Sequence, residues 1–179
     1  MSPDTITIEL TAQKNTGGDA MNTLRNLATA LVTATIFTIL PGTVASAADA
    51  TQFTRKGATF EDVKLDLENA IIAEGLKIDY KGDINGMLKR TGTDVGSNQP
   101  IYQNAEFMTF CSSKLSRAMM EADPANMSQC PYVVFIYQRA TTHKEVVVGY
   151  RKVVVEGPGK KSLEEINRLL ARIAQAAAK

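Results

Sequence analysis

The sequence predicts an α+β fold, a single antiparallel or mixed sheet with helices packed on one face, behind a cleaved signal peptide. Three observations carry that prediction. Segments with apolar residues at helical spacing alternate along the chain with short β-branched and aromatic runs, the pattern of helices and strands drawn into one layered domain. Two of those runs, YVVFIY (Tyr132 to Tyr137) and EVVVGYRKVVV (Glu145 to Val155), are separated only by the polar QRATTHK, so they read as a hairpin. The third observation is the segment MNTLRNLATALVTATIFTILPGTVASAADA, which begins at Met21 and has the grammar of an export signal.

In that signal Arg25 supplies a positive head, and Leu27 to Leu40 form an uncharged, mostly apolar run of about 14 residues. Pro41-Gly42 then breaks the helix, and Ala45-Ser46-Ala47 supplies the small-x-small pattern, placing cleavage between Ala47 and Ala48. A spanning helix needs roughly 20 apolar residues, so the run is short for an anchor. Residues 1–20 are polar and unpatterned and precede a methionine that opens a complete signal. They are expected to be a start assigned too early, or a disordered extension, with the signal at 21–47 and one domain at 48–179. The expected location is periplasmic or secreted.

From Ala48 onward 18 Lys and Arg face 16 Asp and Glu, a net charge of about +2. That balance gives no clustered surplus base for nucleic acid or an anionic membrane, and no second apolar run of spanning length follows. The domain is large enough to bury a single core.

The elements follow in order. An extended segment covers Gln52 to Ala58. Thr59 then caps a helix, with Asp62 answering three positions on. Phe60, Val63, Leu67, Ala70 and Ile71 form its apolar stripe, reaching Glu74, and Gly75 stops it. The carboxylates of Glu61 to Glu68, interleaved with Lys64, are expected on the solvated face. Leu76 to Tyr80 alternates as a strand. Residues 81–100 are rich in Gly, Asn and Asp around a short helix at Ile84 to Arg90. Phe107 to Phe110 ends a strand, and Ser112 or Ser113 caps a helix through Glu121, with Leu115, Ala118, Met119 and Ala122 on its inner face. Asp123-Pro124 closes that helix. After the hairpin, Gly157-Pro158-Gly159 breaks the chain. A Ser162/Glu165 capping box then opens a last helix striped by Leu163, Ile166, Leu169, Leu170 and Ile173.

The strand Tyr132 to Tyr137 is apolar on both faces, with Val134 and Ile136 on one and Val133, Phe135 and Tyr137 on the other. Helices on one side leave the second face in need of cover by another loop or helix, a ligand, or a partner that includes a second copy in a homodimer. Val133, Phe135, Tyr137 and Tyr150 are the candidate surface for a small ligand or protein partner.

Three stretches resemble the bacterial domain-of-unknown-function family 302. They are TFEDVKLDLENAIIAEGLKI (Thr59 to Ile78), FCSSKLSRAMMEADP (Phe110 to Pro124) and CPYVVFIYQ (Cys130 to Gln138). The resemblance implies a small α+β domain similar to the TATA-binding-protein-like folds, and it implies no activity. It aligns Cys111 and Cys130 with two cysteines typical of the family. Here Ser112-Ser113 replaces the usual asparagine-proline after the first cysteine, and Cys130-Pro131 reverses the usual order at the second.

The cysteine pair carries the chemistry most open to question. Outside the cytoplasm an even pair is more often bridged than free, and a strand-helix-strand excursion can bring Cys111 and Cys130 together at one sheet edge. Unlinked buried thiols, or a thiol-redox pair, are the alternatives. A further one is a soft copper site, because Cys111, Met119, Met120, Met127 and Cys130 put five sulfur donors within 20 residues. Methionine on an apolar helix face is more often packing, and no cofactor is the leading expectation. His143, the single histidine, lies in the polar turn, so Cys-His, Ser-His-Asp and zinc chemistry all lack a recognisable constellation. The expectation is a non-catalytic exported binding module.

Overall fold

A computed structural model describes residues 50–179. The chain runs β1 (Ala50–Lys56), α1 (Phe60–Ala73), β2 (Tyr80–Asp83), α2 (Ile84–Thr91), β3 (Tyr102–Phe110) and α3 (Ser113–Ala122). A 3-10 turn (Pro124–Gln129) follows, then β4 (Tyr132–Arg139), β5 (Glu145–Arg151) and α4 (Lys160–Ala177). Residues 1–20, the signal segment 21–47 and its cleavage pair Ala47-Ala48 lie outside the described residues. The five strands form one sheet in the order β1-β5-β4-β3-β2, every neighbouring pair antiparallel. Of the two alternatives, antiparallel is therefore the one observed.

Helices α1, α3 and α4 cover one face of this sheet. Phe60, Val63, Leu67 and Ile71 of α1 and Leu163, Ile166, Leu170 and Ile173 of α4 are buried against Met108, Phe110, Val134, Ile136, Val146, Val148 and Tyr150. Each such side chain contributes roughly 1.5–3 kcal/mol of burial. Thr59 caps α1 as expected, its hydroxyl accepting from the Asp62 amide at 3.2 Å, and Gly75 takes the left-handed conformation (φ 75°) that ends it.

Several boundaries move, each for a local reason. β1 starts two residues earlier than expected, where Ala50 pairs with Arg151, and ends two residues earlier, because Gly57 turns the chain at φ 76° and donates to the Lys144 carbonyl. The strand expected at Leu76 to Tyr80 begins only at Tyr80. Its neighbour β3 stops at Phe110, so nothing remains for residues 76–78 to pair with once Tyr80 is opposite Thr109. β3 itself is longer than Phe107 to Phe110. Its core-side Glu106 is tolerated because the Lys64 ammonium donates to that carboxylate at 2.7 Å, a bond that raises the Lys64 pKa above its ordinary value. β5 ends at Arg151, short of Val155. The Asn167 amide takes both backbone groups of Val153, and Gln129 takes the Val154 N–H. α4 begins at Lys160 with Gly159 (φ 86°) as its N-cap and no side-chain cap, so Ser162 and Glu165 form no capping box.

Two face assignments change as well. On α3 the inner positions are Leu115, Ser116, Met119 and Met120, while Ala118 and Ala122 are exposed. The Ser116 hydroxyl is buried because it bonds the Tyr132 hydroxyl at 2.8 Å. The charged positions of α1 do more than face solvent: Lys64 reaches Glu106 of β3, Asp66 pairs with Arg55 of β1, and Glu68 pairs with Lys81 of β2.

A further ion pair joins α1 to α4. Glu74 accepts from Arg172 Nε at 2.9 Å and Nη2 at 3.0 Å, and that bond holds the Glu74 carboxyl below its ordinary range. A depressed folded value means stability present above the unfolded pKa and lost as pH falls through the folded one. Glu74→Gln is therefore expected to lower stability by under about 1 kcal/mol at neutral pH. Urea midpoints at pH 7 and pH 3 should show that difference closing in acid. An equal difference at both pH values would remove the ion pair from the account.

Candidate functional site

Side chains alternate across each strand, so the register assigns the two faces. Tyr150 sits directly opposite Val134. It therefore joins the helix-covered core at 5% exposure, which corrects its expected place on the open surface. Val133, Phe135 and Tyr137 point to the other face and are half-buried there. Val133 lies toward the cysteine end of β4, outside the groove described next.

That open face holds a groove of about 450 Å³ lined by Ile101, Tyr102, Ala105, Phe107, Phe135 and Tyr137, with Gln52 and Arg139 at its rim. The rings form two groups. Phe135 stacks with Tyr137 at 6.3 Å and 17°, Tyr102 meets Tyr137 edge-on at 5.4 Å, and Tyr80 tilts against Phe107 at 5.7 Å. Such pairs each add about 0.5–1.5 kcal/mol beyond burial. Two glycines make room for them. Gly149 pairs with Phe135 and Gly82 with Phe107, and a Cβ on either glycine would run into the ring opposite.

The polar end centres on Tyr137. Its hydroxyl donates to Gln52 Oε1 at 3.0 Å and accepts from Arg139 Nη2 at 3.3 Å, while the guanidinium carbon lies 5.7 Å from the ring centroid. Tyr102, Phe107, Gln52 and Arg139 were missed by the sequence reading. Alternation through YQNAEFMTF was the available signal for Phe107, whereas Tyr102 shares its face only because the register shifts between Tyr102 and Asn104. Alternation along β4 also carries Arg139, two residues after Tyr137, to that face, and Gln52 comes to the groove only through strand order.

Cys111 and Cys130 are joined in a disulfide with Cα atoms 6.5 Å apart, inside the usual bridging range. The bridge closes the same end of two adjacent inner strands, with Phe110 opposite Tyr132 just inside it, rather than a sheet edge. Ser116 Oγ lies 3.4 Å from Cys130 Sγ. Burial pushes the Tyr132 phenol pKa up, opposed by its bond to Ser116. The five sulfurs do not form one ligand set. Both thiols are used in the bridge, Met119 is fully buried in the core, and Met127 is 70% exposed. Among the described residues no group of three or more His, Cys, Asp or Glu is placed to hold a metal ion. His143 is exposed in the β4–β5 turn, and its ring partner is the Gln103 amide at 2.5 Å, neither a hydroxyl nor a thiol. Among the described residues no helix is long and apolar enough to cross a membrane.

A family model described as "Domain of unknown function DUF302" matches residues 51–179. The fold is similar to the crystal structure of an uncharacterized conserved DUF302 protein from Bacillus stearothermophilus, with a TM-score of 0.60 and 12% identity. That likeness covers 73% of this chain and 99% of the other, and at such identity it speaks for the fold alone. No curated protein matches the chain.

Proposed function

We propose that this chain, which belongs to the DUF302 family, is an exported, non-catalytic module that binds a small ligand on the open face of its sheet. One observation carries the reading: a groove of about 450 Å³ walled by four aromatic rings, on the face opposite the helices. Pockets of that size, mostly apolar with a few placed polar groups, are the usual form of small-molecule sites. Export rests on the signal pattern at 21–47 and accords with a bridged cysteine pair. The copper alternative draws on both thiols, and a closed bridge withholds them.

The absence of tryptophan from the chain leaves fluorescence clear for a probe. The neutral dye N-phenyl-1-naphthylamine is expected to bind the folded protein saturably. Phe135→Ala is expected to weaken it about fivefold through lost stacking, with circular dichroism checking the fold. A titration with no saturation, or one indifferent to Phe135→Ala, would remove the groove as the site.

A further inference from the structure

We infer that the ligand of this groove is a small amphipathic anion, with a flat apolar body over Phe135 and Phe107 and a carboxylate or similar head at Gln52 and Arg139. The inference rests on the groove being the binding site and adds the chemical class of what it takes. Arg139 carries the positive charge at the rim, and its partners among the described residues are the hydroxyl and the ring of Tyr137, both neutral. Gln52 uses its carbonyl oxygen to accept from Tyr137, which leaves the amide N–H groups as the donors it offers to the groove. Glu106 contributes to the lining, but its carboxylate belongs to the opposite face, where Lys64 binds it at 2.7 Å. Among the described lining residues the polar end therefore offers hydrogen-bond donors and one cation, with no carboxylate besides that of Glu106. An acceptor or anion fits that end, and a cation is repelled by it.

Arg139 is also pre-positioned. Its side chain is held over Tyr137 by the hydroxyl bond and by the ring face, an arrangement that reduces the side-chain freedom lost when a carboxylate is bound. The volume suits a molecule of one or two fused rings, whereas a protein partner would engage a far larger surface.

Three ligands sharing one body separate the terms: 2-naphthoate, 2-naphthalenemethanol and 2-naphthylmethylammonium, titrated calorimetrically into residues 48–179. Naphthoate is expected to bind on the order of fivefold tighter than the alcohol, with the ammonium weakest. Salt at 0.5 M should erase the preference. Arg139→Gln should bring naphthoate down to the alcohol's affinity, and Arg139→Lys should keep part of the difference, with thermal melts confirming that both variants fold. If all three ligands bind alike, the anion inference falls and the groove stands. If none binds, both fall. A naphthoate preference that survives Arg139→Gln, or a dimer in sizing chromatography that the ligands fail to dissociate, also overturns it.

Discussion

Protein recovered from an exporting host without reductant is expected to begin at Ala48, to take up no thiol-alkylating reagent, and to take up two groups once reduced. The double variant Cys111→Ala/Cys130→Ala is expected to lose about 3 kcal/mol. The bridge closes a separation of 19 residues that contains α3 and the following turn, and the chain-entropy model assigns a loop of that length roughly 3 kcal/mol. For a domain of this size the loss corresponds to a melting temperature lower by about 10 °C. The location of the bridge adds to the expectation. It pins the end of the β3–β4 ladder, beside the buried Ser116–Tyr132 hydrogen bond, so its loss frees α3 at both ends. Two groups adding at once to the native protein, together with an unchanged melt for the double variant, would dismiss the bridge. Cu(I) titration of Cys111, Cys130 and the neighbouring methionines would then be the experiment of choice.

The second large effect is expected at Gly149, which lets Phe135 lie across β5. A Cβ there would meet the Phe135 ring and would also lie 2.7 Å from the Thr51 carbonyl oxygen of β1. A ring can rotate away, whereas a backbone oxygen in a paired strand can move only with the strand. Gly149→Val is therefore expected to destabilise by about 1–3 kcal/mol, as overpacking does, and to abolish dye binding. Adding Phe135→Ala should recover only the part due to the ring. Gly82 supplies the contrast, because a Cβ there meets Phe107 side-chain atoms alone. Phe107→Ala should thus rescue Gly82→Ala fully. Complete rescue of Gly149→Val by Phe135→Ala in a denaturant series would show that the close approach of β1 is not the limiting contact.

The legible part of the fold is the part governed by local pattern. The stripes of α1 and α4, the Thr59 cap, the Gly75 stop and the β4–β5 hairpin all follow from spacing and turn chemistry within a few residues, and the structure holds them in place. What escaped depended on distant partners. β3 is legible only at its Phe107 to Phe110 end because Gln103, Asn104 and Glu106 before it are polar, yet Lys64, 42 residues away, neutralises Glu106 and the strand extends back to Tyr102. The strand expectation at Leu76 failed for the converse reason: the residues suited a strand but had no neighbour to pair with.

The candidate surface divides along the same line. Alternation alone separated Val133, Phe135 and Tyr137 from Val134 and Ile136. Tyr150 was misassigned because its face depends on the register between β4 and β5, and a one-residue slip in register inverts every side chain of a strand. By itself the sequence carried a segment with the pattern expected of an export signal, a sulfur-bearing segment able to form a bridge, and the motifs of the family to which the chain belongs. Tertiary structure alone decided that β1 and β3 flank the hairpin, so that Gln52 and Tyr102 meet around Tyr137. The physical reason is that a groove on a sheet is made by strand order and pairing, which join residues 85 positions apart, as in the Tyr137–Gln52 bond, and no local period encodes such a meeting.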